Sequence, residues 1–123
     1  TIVRMAGERA AEGSYHLLFF VANHPETAPN PEKAKAYVES WKDRDLSWDG
    51  VQEGSRGYDV ILTMAEAIRL ADGSADRDKL REALEQVDIK ALTGHIKFDK
   101  YHDQNPNIQI VQVKDGQTII PEL

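Results

Sequence analysis

The side chains able to do chemistry are scattered along the chain. The four histidines are His16, His24, His95 and His102. None stands four residues from another, and no carboxylate sits at a recognisable metal-ligand distance from them. A scattered metal site is the functional reading; imidazoles on the surface or at strand edges is the structural one, and the spacing favours it. Carboxylates gather at Asp43/Asp45 and at Glu82/Glu85. Acid–base work needs a pair facing a cleft, whereas Glu82 and Glu85 belong to the solvated face of a helix. Asp99, His102 and Asp103 would serve a small α/β enzyme only if they converged in a pocket. Arg56 stands beside Tyr58 at an expected helix start, where backbone donors and a cation can meet an anionic group. The alternative is a surface arginine with Tyr58 in the core. Trp41 falls on an apolar stripe and reads as core. Trp48 falls on none, and is open between a stacking platform and packing. The sequence has no GxGxxG, GxxxxGK[ST], HExxH or GxSxG, and no cofactor is expected.

Bulk properties narrow the class. The 123 residues fit one ordinary domain, with 41% hydrophobic and 29% charged residues and a net charge of −6. That acidity argues against nucleic acid or an anionic membrane as a partner. The sequence has no cysteine, so disulfides, thiolate metal sites and cysteine nucleophiles are all excluded. The longest apolar run, Leu17–Ala22, is of strand length. The opening Thr1-Ile2-Val3 carries neither an initiator Met nor a signal peptide, and an internal fragment is expected.

These residues must be positioned by a short list of elements. Residues 1–12 have an Ala-rich, short-helix character that ends at Gly13. Ser14–Ala22 is aromatic and branched, as a buried strand is. His24–Pro29 reads as an extended linker because of its prolines. Asn30-Pro31-Glu32 opens a helix to about Asp43: a cap, a pre-set first residue and an acid at the positive end of the dipole. Asp45–Ser55 reads as a polar loop. A helix over about Arg56–Ala71 follows, apolar on two sides and therefore to be buried on both, with Gly73 as its stop. Asp76 caps a third helix over about Arg77–Val87. Gly94–Lys100 alternates as a half-buried strand, as does Ile108–Val113, and Asp115-Gly116 joins the latter to Gln117–Ile120 in a hairpin. Strand, three helices, strand, hairpin makes an α/β or α+β domain with an antiparallel end.

Several local patterns occur together and in order: Glu12-Gly13 before a strand, Asn30-Pro31 opening a helix that carries Trp41, Gly57-Tyr58-Asp59-Val60 leading an apolar helix, the amphipathic Asp78–Val87, Gly94-His95-Ile96-Lys97-Phe98-Asp99 as a GxIxFD strand, and Gln112–Gln117 closing a hairpin. Over nearly its whole length this series resembles the C-terminal portion of type I periplasmic solute-binding proteins, in particular the branched-chain amino-acid group. It departs at His95 and at His102-Asp103-Gln104, where small or Gly-rich residues are usual.

The resemblance implies an α/β fold in two lobes, with residues 1–23 and 108–123 in the second lobe and 30–100 in the first. It implies the non-enzymatic, solute-binding component of an ABC importer, capturing a small amino acid, amide or aromatic acid between the lobes and docking on a membrane permease. The ligand-contacting segment within this chain would be the loop Gln52-Glu53-Gly54-Ser55-Arg56; Trp48, a candidate platform on the reading of the residues alone, joins it as an expected ligand-binding residue. Location would be periplasmic or lipid-anchored. Because the Arg56–Ala71 helix has few partners here for its second face, the rest of the parent protein or a second copy of the chain is expected against it. An extracellular sensor domain and a small α/β enzyme are the alternatives.

Overall fold

The computed structural model describes residues 2–122. Helices α1 (Ile2–Ala6) and α2 (Glu8–Ala11) lead into strand β1 (Tyr15–Leu18). The Ala-rich block expected to form one short helical stretch is thus broken at Gly7. A 3-10 turn at Pro25–Thr27 precedes α3 (Pro31–Asp43). The segment expected to be an extended linker therefore contains a turn, closed by the Thr27 N–H donating to His24 O at 3.0 Å. Asn30 caps α3 as its sequence position predicts: its side chain accepts the Lys33 N–H at 3.3 Å.

After a second 3-10 turn at Trp48–Gly50, α4 runs from Val51 to Leu70. The polar loop expected to reach Ser55 therefore ends five residues early, and the two glycines of α4, Gly54 and Gly57, lie inside it. Helix α5 (Arg77–Leu84) is capped by Asp76, whose carboxylate accepts the N–H groups of Asp78 and Lys79. Strands β2 (Asp88–Lys90) and β3 (His95–Lys97) form an antiparallel ribbon. β2 was not expected: its one apolar residue, Ile89, gives no alternation to read.

Strands β4 (Gln109–Lys114) and β5 (Gln117–Ile119) form the expected hairpin. Asp115 and Gly116 both have positive φ, 51° and 71°, the pair of left-handed residues that a type I′ turn requires. Sheet order is β1-β4-β5, with β1 and β4 antiparallel and Leu18 opposite Gln109 at the end of the ladder. The mixed order of helices and antiparallel strands agrees with the expected α/β class.

Two hydrophobic clusters fill the interior. One joins Phe20, Ala34, Val38, Val51 and Leu92; the other joins Ala67, Ala83, Val87, Ala91 and Ile96. The buried line of α4 is Val51, Ser55, Asp59, Thr63 and Ala67. Three of those five residues are polar, whereas Val60 is 60% and Ile61 69% exposed. Tyr58, one candidate for the core, is exposed as well. The helix thus turns polar residues inward and one apolar stripe outward, the reverse of an ordinary surface helix.

Candidate functional site

The candidate residues surround the start of α4, which aromatic side chains of α3 hold in place. The Tyr37 hydroxyl donates to Val51 O at 2.9 Å, and the Trp41 indole N–H donates to Ser47 O at 3.2 Å. Phe20, Trp41 and Tyr58 each meet the Tyr37 ring with centroids 5.7–5.8 Å apart. Burial pushes the Tyr37 phenol up to about 12, and the negative charge of Asp59 acts in the same direction.

Gly54 belongs to this packing. A Cβ there would overlap the Trp41 ring and stand 2.6 Å from the Tyr37 hydroxyl, so the glycine lets α4 approach α3 closely. Ser55 is fully buried and its hydroxyl donates to Gln52 O at 2.6 Å. As placed, neither Gly54 nor Ser55 offers a group to a solute. Glu53 is exposed and pairs with Arg56 at 3.5 Å. The Arg56 guanidinium stacks over the Phe19 ring, 4.5 Å from its centroid. Trp48 is half-buried, with the Lys42 ammonium 5.5 Å from its ring centroid.

Trp48 and Gln52 line one cavity of about 380 Å³ together with Asn23, Leu17, Leu18 and Val111. Arg56 instead borders a second cavity of about 250 Å³, beside Asp59 and Thr93. The six candidate residues are therefore not brought together. The first cavity is largely apolar, with an aromatic wall at Trp48 and polar groups at Asn23, Gln52, His16, Thr118 and the Asp49 carboxylate, a composition suited to a small solute with an apolar body and a few polar atoms.

Sequence reasoning passed over Asp59, the most heavily bonded side chain of the region. Its Oδ1 accepts Leu92 N at 2.7 Å, and its Oδ2 accepts Thr93 N and Thr93 Oγ1, both at 2.7 Å. A lone carboxylate in the middle of an apolar helix was the available signal. Asp99 is likewise occupied: its carboxylate accepts the N–H groups of Tyr101 and Asp103, which makes this segment a capped turn. His102 projects from that turn toward Glu85 at 3.7 Å. Among the described residues no group of three or more His, Cys, Asp or Glu side chains is placed to hold a metal ion.

Residues 1–118 match the model of a family described as periplasmic binding protein. The chain belongs to that family. Its members are solute-binding proteins and not enzymes. The fold overlaps that of a leucine binding protein, LivK, from Thermotoga maritima MSB8 with a TM-score of 0.76 at 26% identity, over 98% of this chain and 33% of that one. It also overlaps a solute binding protein of an ABC transporter from R. palustris, solved in complex with benzoate, with a TM-score of 0.70 at 20% identity, over 95% of this chain and 31% of that one. The chain therefore spans about a third of the length of these periplasmic binding proteins. No curated protein matches it significantly.

Proposed function

We propose that the chain is the C-terminal portion of a two-lobed solute-binding protein of an ABC importer, which captures a small amino acid, amide or aromatic acid between its lobes and delivers it to a membrane permease. The observation that carries this reading is the family match over residues 1–118. The fold overlap with a leucine binding protein three times as long supports it. In this reading α1, α2 and the β1-β4-β5 sheet belong to one lobe, and α3 to β3 to the other. Trp48 and Gln52, which border the larger apolar cavity, contribute part of the cleft wall, and Arg56 acts through Phe19 instead of through the solute. The outward stripe of α4 is covered by the remainder of the parent protein, and the protein works in the periplasm.

A thermal-shift screen of the full-length protein against leucine and its branched relatives, other neutral amino acids, short amides and aromatic carboxylates tests this. A solute at 100 times its dissociation constant stabilises the folded state by about 2.7 kcal/mol, a shift of several degrees. Flat melting curves across every class would remove the reading.

A further inference from the structure

The extensive packing lies within two groups of elements, and between them Arg4 of α1 pairs with Asp49 of the Trp48–Gly50 turn at 2.9 Å, away from the points where the chain crosses. α1 packs with α2, and β4 with both β1 and β5; in the other group α3 packs with the Pro25–Thr27 turn and with α4, and α4 with α5 and the Trp48–Gly50 turn. The chain passes from one group to the other at two nearby places. It leaves the sheet after Leu18, where Phe20 enters the first hydrophobic cluster. It re-enters at Gln109, and Leu18 and Gln109 face each other on the last rung of the β1–β4 ladder. Both covalent crossings between the groups thus lie at that rung, which makes it the natural pivot for a relative motion.

At that rung stands a side chain that reaches across. Gln109 Nε2 donates to Thr27 O at 2.7 Å, and Gln109 Oε1 lies 3.2 Å from Thr27 Oγ1. Thr27 is fixed in the other group: its turn packs on α3, and Ala28 beside it is buried in the first cluster. The two contacts are unequal. A threonine hydroxyl carries one proton, and Thr27 Oγ1 also lies 2.7 Å from His24 O. The shorter contact takes the proton most of the time, so the dominant tie is the amide N–H of Gln109 on the Thr27 carbonyl. That carbonyl needs a donor, which fixes the orientation of the Gln109 amide.

We propose that the Gln109 side chain, bonded to the Thr27 carbonyl at the rung where both strands cross, is a hinge latch that sets how much of the protein occupies this mutual arrangement of the two groups. The inference rests on the two-lobe reading above. It requires the donor of Gln109 and depends little on the Thr27 hydroxyl.

Single-molecule energy transfer on the full-length protein tests it, with dyes on Met5→Cys in α1 and Asp78→Cys in α5; Met5 and Asp78 are both exposed. Gln109→Leu removes donor and acceptor, and Gln109→Glu keeps the shape and the acceptor but lacks the donor. Both should lower the population of the arrangement seen here, relative to the displaced one, by roughly fivefold, the shift an ordinary net hydrogen bond carries. Thr27→Val should leave the distribution near that of the wild type. A fall in melting temperature with unmoved distances would mean that Gln109 is merely structural and would overturn the latch. If the wild-type distance distribution is no broader than that of a dye pair placed within one group, the two-lobe reading falls and the latch with it. A broad wild-type distribution that neither Gln109 variant changes defeats the latch alone.

Discussion

Asp59 Oδ1 accepts the backbone N–H of Leu92 at 2.7 Å, so a carboxylate in the middle of α4 serves as the backbone partner of a loop 33 residues away. Leu92 is fully buried, and its N–H would have no water to turn to. Asp59→Ala should therefore destabilise by on the order of 3 kcal/mol, more than a surface change of the same kind. Thr93→Val, which removes only the hydroxyl contact, should cost about 1 kcal/mol. Urea midpoints of the two variants check the order, and equal midpoints would contradict it.

The two glycines of α4 should respond in opposite directions. A methyl at Gly54 meets the Trp41 ring and the Tyr37 hydroxyl, whereas one at Gly57 meets nothing within 4 Å. Gly54→Ala should destabilise by about 1–3 kcal/mol through overpacking. Gly57→Ala should stabilise by about 0.5–1 kcal/mol through lower backbone entropy in the unfolded chain. Thermal or urea unfolding of both variants side by side decides the matter.

Tyr37 should ionise late. Its folded-state value is raised from 10.0 to about 12, so its neutral form is favoured by folding. The resulting contribution to stability is complete below about pH 10 and is lost as the pH climbs toward 12. Phenolate absorbance followed from pH 9 to 13 should show a late component that Tyr37→Phe removes.

Asp88 moves the other way. Hydrogen bonds from Lys97 Nζ at 2.7 Å and from His95 Nε2 at 2.5 Å hold its carboxyl below its usual value. The stability this gives the β2–β3 ribbon is present above the ordinary aspartate range and is lost as the pH falls through the lowered value. Amide exchange in residues 88–97 should accelerate on acidification in the wild type and lose that dependence in Asp88→Asn.

The outward stripe of α4 should be sticky. Val60 and Ile61 are mostly exposed, and burying such a side chain is worth about 1.5–3 kcal/mol. The 123-residue chain alone should sediment as an associated species, and Val60→Lys with Ile61→Lys should return it to a monomer. A clean monomer of the unmodified chain would contradict the claim that this face seeks a cover.

Much of the fold was legible where local chemistry is strong. Asn30-Pro31 marked the start of α3, Asp76 that of α5, and Asp115-Gly116 the β4–β5 hairpin, because each of these signals is satisfied by backbone within a few residues. The beginning of α4 was not legible. Gly54 looks like a loop residue until the Trp41 ring is seen to need the space there, a tertiary fact with no local trace. The inward face of α4 was misread for a related reason: Asp59 is buried because the Leu92-Thr93 backbone satisfies it. The placement of the candidate site residues was likewise set by tertiary contacts. Trp48 and Gln52 do border a cavity, but Ser55 and Gly54 turned out to pack and Arg56 to stack on Phe19, choices made by side chains from distant elements.

Ala91 and Leu92 are adjacent in the chain, and both are completely buried, yet they serve different clusters. No thermal event can peel one cluster away while sparing its neighbour, since pulling either residue into water drags the other along the same peptide bond. With Asp59 gripping that peptide from the long helix, the α3–α4 and α4–α5 halves are expected to melt as one cooperative unit, and calorimetry should record a single endotherm for them.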